Sequence, residues 1–163
     1  MEAGELAGQV LETWRRHNEI LLLLLAAVPP KGMKALPAGS RGRTVALQFA
    51  HLDRVRRGWL EYFATAKRPK MPRADKGRPP TKAQLRKTLN DSAKRVAVFL
   101  RDSMHAGAKP RMFAGHAIRW MGYLIAHESH HRGQIMLALK QSGIRLPEKV
   151  AMDGLWGRWF WGK

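Results

Sequence analysis

The sequence predicts an all-α protein built as a four-helix bundle. Four segments of about 20–25 residues place apolar side chains at alternating spacings of three and four, the period of a helix with one buried face. No stretch alternates apolar and polar residues as a half-buried strand would, and Pro- and Gly-rich runs separate the segments. Amphipathic helices of this length bury their stripes against one another. With 163 residues, the chain is expected to fold as one domain spanning 1–163.

The first segment runs from Glu5 to Val28. Val10, Trp14, His17, Leu21, Leu24 and Val28 form its stripe, and Leu22, Leu23 and Leu25 widen it, so the helix is expected to be covered on more than one side. Pro29 and Pro30 end it. The apolar run Ile20 to Val28 is far shorter than the roughly 20 residues a spanning helix needs, and no clean cleavage site follows it. A cytoplasmic protein with no membrane partner is expected.

The second segment, Thr44 to Ala66, carries Leu47, His51, Val55, Gly58 and Tyr62 on one line and Leu52, Val55, Trp59 and Phe63 on the next. His51 thus falls among apolar positions and apart from Arg54, Arg56 and Arg57. A linker of about 14 residues, Lys67 to Pro80, follows. It is long for antiparallel neighbours and suits a crossover between helices that run the same way. Thr81-Lys82-Ala83-Gln84 then reads as a capping box opening the third segment, whose stripe is Leu85, Leu89, Ala93, Val96 and Leu100. The fourth segment spans Ala117 to Gln141, with Gly143 as its stop. Met121, Leu124, His131, Ile135 and Ala138 share one face, bordered by His127 and Gln134. The tail, Leu146 to Lys163, gathers Trp156, Trp159, Phe160 and Trp161, and is expected to fold back as an aromatic lid.

Composition narrows the chemistry. There is no cysteine, which excludes disulfides, thiolate metal sites and a protein thiol nucleophile. Imidazole, carboxylate and water donors suit zinc, nickel, iron or manganese. The balance of 30 Lys+Arg against 12 Asp+Glu gives a net charge of +18 and attracts polyanions. Its densest block, Lys67 to Lys87, sets nine basic residues against Asp75 alone, but proline and glycine punctuate it as they would a solvated loop. A compositional origin of the charge is favoured over a nucleic-acid role.

The chemistry concentrates in His127-Glu128-Ser129-His130-His131-Arg132-Gly133-Gln134. Residues four apart on a helix stand one turn above each other, so His127 and His131 can bring two imidazoles to one cation. His51, at mid-height of the second segment, supplies a third if the two helices pack together. His17, also on an apolar stripe, competes for that role. Three imidazoles with an open position describe a catalytic-type centre that activates bound water or a thiolate. His105 and His116 near helix ends read as ordinary polar residues, and His130 as a rim residue. Arg132 and Gln134 read as structural or rim residues. Glu128 reads as an orienter of a ligating histidine, since such histidines usually donate their other N–H to a carboxylate or carbonyl.

The run from His127 to Ile135, followed by Leu139 and Gly143, resembles the HxxxHRGQ signature of the DinB/YfiT-like family. Phe49-Ala50-His51-Leu52 is similar to that family's second-helix motif, and Trp14 with Asn18 and the tail from Leu146-Pro147-Glu148 through Trp156 to Trp159 are similar to further pieces of it. The resemblance covers nearly the whole chain. It implies a four-helix bundle with a divalent-metal site formed by His51, His127 and His131. It also implies thiol-dependent transfer or isomerisation with a low-molecular-weight thiol, or metal-dependent hydrolysis, acting on a small molecule, and a homodimer.

Two other readings compete. His127-Glu128-Ser129-His130-His131 satisfies the His-Glu-x-x-His pattern of zinc proteases, with Glu128 as general base and Glu148 or Asp153 as downstream ligand. Alternatively, a basic helical protein grips nucleic acid, with its metal structural or absent. Against that reading, no helix-turn-helix is evident, and the clustered tryptophans stand apart from the basic block.

Overall fold

The computed structural model describes residues 3–67 and 79–161, and contains no strand among them. The four long helices are α1 (Ala3–Ala27), α2 (Val45–Thr65), α3 (Lys82–His105) and α4 (Ala117–Gln141). Their ends follow local chemistry. Pro29 and Pro30 divert the chain from α1 into a 3-10 turn, Pro30–Lys34. Thr44 caps α2, its hydroxyl accepting from the Leu47 N–H, and Ala66 closes the helix in the left-handed region. The capping box is present at α3: Thr81 Oγ1 accepts from Gln84 N at 3.2 Å, and Gln84 Oε1 accepts from Thr81 N at 2.8 Å. Residues 68–78, most of the basic linker, lie outside the described residues. None of the described helices is long and apolar enough to cross a membrane.

Side-chain contacts fix the helix directions. Arg56 meets the Leu89 carbonyl and Phe63 meets Phe99, so α2 and α3 climb together. Trp14 meets Ala93 and Asn18 meets Asn90, so α1 and α3 oppose each other. His51 faces His127 while Phe63 faces Trp120, so α2 and α4 also oppose each other. The two helices on either side of the long linker thus run in the same direction, as its length suggested.

The apolar core falls into two clusters stacked along the bundle. One centres on Ile20, Leu24, Phe49, Leu89, Ile135 and Leu139, the other on Trp14, Phe63, Val96, Leu100, Trp120 and Leu124. Between them, at mid-height, each of α1, α2 and α4 contributes a buried polar residue: His17, Arg56 and Glu128. The functional features gather at this level.

The tail departs from the expected lid. Residues Val150–Gly157 form a π-helix followed by a short α5 (Arg158–Trp161), and both dock on α1. Leu155 and Trp159, four apart, turn toward the core, where Trp159 stands 6.3 Å from the His17 ring. Trp156 and Phe160, also four apart, point away, and Trp156, Phe160 and Trp161 are 57%, 71% and 75% exposed. Of the tail's four aromatic side chains only Trp159 contributes to a cover, because one helical face cannot bury side chains on both sides of its axis.

Candidate metal centre

Antiparallel packing of α2 on α4 brings His51, His127 and His131 together, one candidate ligand nitrogen from each lying within 4.8 Å of the others. The ring centroids stand 5.3 Å (His51–His127), 4.9 Å (His51–His131) and 4.8 Å (His127–His131) apart, all edge-on. His131 is buried and the other two are half-buried, so the group opens on one side.

Burial comes first among the causes that hold these imidazoles unprotonated. It pushes His51 down to about 3, helped by the Arg43 charge and then by His131 and His127. His131 is pushed down to about 4 by burial, then by His127, His130 and Arg43. His127 is lowered by burial too, against an opposing pull from Glu128. Neutral imidazole is the form that binds a cation.

The surroundings fit a cation. Gln48, itself buried, places Oε1 3.2 Å from His131 Nδ1; the amide oxygen accepts, so that nitrogen carries the proton and Nε2 keeps its lone pair. Among the described residues His127 Nδ1 is buried with no hydrogen-bond partner, an orphan that a neighbouring cation satisfies. Tyr123 stacks on the His127 ring at 5.8 Å and fixes its plane. Three nitrogens each about 2.1 Å from one ion stand about 3.4–3.6 Å apart, so the trio, whose nitrogens lie within 4.8 Å of one another, would close by up to about 1.4 Å around a cation. His51 Nδ1 accepts from Arg54 Nη2 at 3.3 Å, which puts the ring proton on Nε2, so holding a cation through Nε2 would require the other tautomer.

His17 does not join this group. Its Nε2 donates to Glu128 Oε2 at 2.9 Å. Glu128, read from sequence as an orienter of a ligating histidine, instead commits both oxygens elsewhere: Oε1 accepts from Arg56 Nε at 2.6 Å and Oε2 from Arg56 Nη2 at 2.7 Å. Arg56 Nη1 also donates to Asn18 Oδ1 (2.9 Å) and the Leu89 carbonyl (3.0 Å), and its guanidinium lies 4.8 Å over the Trp14 ring. Arg56 and Glu128 side chains are 0% and 1% exposed, and this bidentate pair ties α2 to α4 beside the histidines. Burial raises the Glu128 carboxyl, but the Arg56 charge and the hydrogen bonds from Arg56 and His17 outweigh it and hold the group well below the usual carboxylate range.

The protease arrangement is thereby overturned. Glu128 is fully engaged by Arg56 and His17, and Glu148 and Asp153 are exposed and join no metal-ligating group among the described residues. His105 and His116 are exposed, and His130 sits at the exposed rim, bonded to Gln134. Arg132 reaches Ser129 Oγ on its own helix.

A model of the DinB family matches residues 1–160. The chain belongs to the DinB family. A search of curated proteins returned no match to it. Family membership agrees with the helical bundle and with a group of three histidines able to hold a metal ion.

What sequence reading missed in this DinB protein is Arg56. The signal was available: Phe49, Leu52, Arg56 and Phe63 are spaced three, four and seven apart, so Arg56 occupies a stripe position. Glu128 does the same in the series Met121, Leu124, Glu128, His131, Ile135 and Ala138. A charged residue in register with a buried stripe calls for a buried partner of opposite charge.

Proposed function

We propose that this DinB-family protein is a divalent-metal-dependent enzyme whose ion is held by His51, His127 and His131. On this reading it activates a low-molecular-weight thiol or a water for attack on a small electrophilic substrate. The observation that carries the reading is the convergence of three unprotonated imidazoles, from two helices at one depth, on a side of the bundle open to small molecules. Zinc or nickel suits such a donor set best, with iron and manganese also accepted by it. When bound, the cation supplies Lewis acidity that lowers the pKa of a coordinated thiol or water.

The chain's own residues prepare that chemistry. Gln48 selects the His131 tautomer, Tyr123 orients His127, and burial keeps protons off the imidazoles. Because the chain has no cysteine, a reacting thiol must come from outside. Thiol transfer joins the sulfur to an electrophilic carbon, expels the leaving group and releases the thiol proton to solvent. A single domain over 1–163, a cytoplasmic location and a homodimer acting on a small molecule belong to the same proposal.

Chelator-stripped protein, reconstituted separately with zinc, nickel, iron and manganese, tests it with a small thiol and an activated aryl halide, and with an activated ester in the absence of thiol. The expected result is a rate restored by metal in one of the two assays and lost in His51→Ala. Absence of any metal-dependent rate in both assays contradicts the proposal.

A further inference from the structure

The loop between the 3-10 turn and α2 is built rather than slack. Val45 N donates to the Ala35 carbonyl at 3.0 Å, Ala38 N to Gln141 Oε1 at 2.7 Å, and Gly42 N to Ser40 Oγ at 2.9 Å. The Ala38 bond ties the loop to the C-terminal end of α4 and the other two shape the loop itself, beside a pocket of about 210 Å³ whose wall includes Ser40, Arg43, Gln48, His131 and Gln134. His131 is thus shared between the histidine trio and this pocket.

Among the described residues, Arg43 is the charged group in the pocket wall and no carboxylate lines it. Its Nε is buried and, among the described residues, has no hydrogen-bond partner. The neighbouring amides are already turned elsewhere, Gln48 to His131 and Gln134 to His130. A desolvated guanidinium donor with nothing to donate to is costly unless an acceptor arrives with a substrate. The matching acceptor is a carboxylate, which a guanidinium grips bidentately. Volume limits its size: the pocket falls below the roughly 300–1,000 Å³ of sites that enclose drug-sized ligands, so it suits a small acid or the acidic end of one.

We propose that the pocket formed by Arg43, Gln48, Ser40 and His131 is a carboxylate subsite, which makes the substrate class of this protein small organic acids. The assignment rests on the metal-centre reading for the reaction that follows, though not for binding itself. An acid seated on Arg43 beside His131 has its uncharged end free to reach the space faced by the three imidazoles.

Calorimetric titration of metal-free protein with succinate, its neutral diamide and inorganic phosphate tests this. Succinate is expected to bind saturably at millimolar concentration, at least about tenfold tighter than the diamide, and to weaken at least about tenfold in Arg43→Met, the size of a lost charge-assisted hydrogen bond. Arg43→Lys, which keeps charge and bulk but loses the fork, is expected to fall between, and serves as the decisive variant if Arg43→Met does not fold. Equal affinity for the diamide, unchanged affinity in both variants, or phosphate binding more tightly than succinate overturns the proposal. Zinc uptake by the same samples separates the two readings. Arg43-dependent succinate binding in a protein that takes up no zinc leaves the subsite standing and removes the metal centre. Zinc uptake that depends on His51, with no effect of Arg43 on succinate, does the reverse.

Discussion

Replacing Arg56 with methionine strips Glu128 of its charged partner while leaving the carboxylate 1% exposed. Two hydrogen bonds to Glu128, one to Asn18, one to the Leu89 carbonyl and the stacking over Trp14 disappear together. Breaking a buried pair from one side costs about 3–5 kcal/mol, because the remaining charge has neither water nor partner. For a chain of this size that lowers Tm by about 6–20 °C. Removing both charges, as in Arg56→Met with Glu128→Leu, is expected to be less damaging than Arg56→Met alone. Acidity supplies a second, sign-dependent readout. Glu128 is depressed below its ordinary value of 4.5 in the folded protein, so its contribution is complete above that pH and is lost as pH falls through the folded pKa. In Arg56→Met, burial acts on Glu128 without the arginine's opposing charge, so protonation relieves the variant. The difference in Tm between wild type and variant is therefore expected to narrow from neutral pH to about 4. Thermal melts by circular dichroism measure all of this. A loss of less than about 1 kcal/mol, or a double variant as unstable as the two losses added, refutes the reasoning.

Other consequences follow from the same geometry. His51 and His131 are lowered from 6.5 to about 3 and about 4, so the unfolded chain takes up their protons first; stability of metal-free protein is full above about 6.5 and is lost as pH falls through that window. His51→Ala is expected to flatten that slope in pH-dependent melts. Glu128→Gln should cost about 3–5 kcal/mol in denaturant unfolding while leaving metal stoichiometry intact, because its oxygens face Arg56 and His17; loss of metal equal to that of His127→Ala would count against this geometry. Gly154→Ala places a Cβ 2.3 Å from Leu23 Cδ2 and is expected to cost about 1–3 kcal/mol, with loss of the tail's packing visible as a Trp159 fluorescence change. An unchanged melt and spectrum would show that the tail is not held against α1.

Long periodic stripes made the helices readable from sequence, and proline pairs and the Thr81 capping box made their ends readable. The three histidines were readable because two share a helix face and the third sits at matching height among apolar neighbours. Glu128 and Arg56 were misread for a different reason. Arg56 was grouped by type with Arg54 and Arg57, and Glu128 was read as the orienter of a ligating histidine, whereas their spacing set both in register with the buried stripes; position outweighs type when a partner of opposite charge is waiting. Arg43 could not be found from sequence at all. Its environment is made by a loop folding against the end of α4, a contact across 103 positions between Ala38 and Gln141 that no local pattern records. The tail was half-legible: its aromatic content required burial, but which side chains turn inward depends on the π-helical path of Val150–Gly157.

The most direct test of the central claim is metal content by mass spectrometry on tag-free protein, wild type beside His51→Ala, His127→Ala, His131→Ala and His17→Ala. The account predicts about one ion per chain in wild type and His17→Ala, and loss of most of it in each of the other three. Metal retained without His51, or lost equally without His17, would contradict a centre made by His51, His127 and His131.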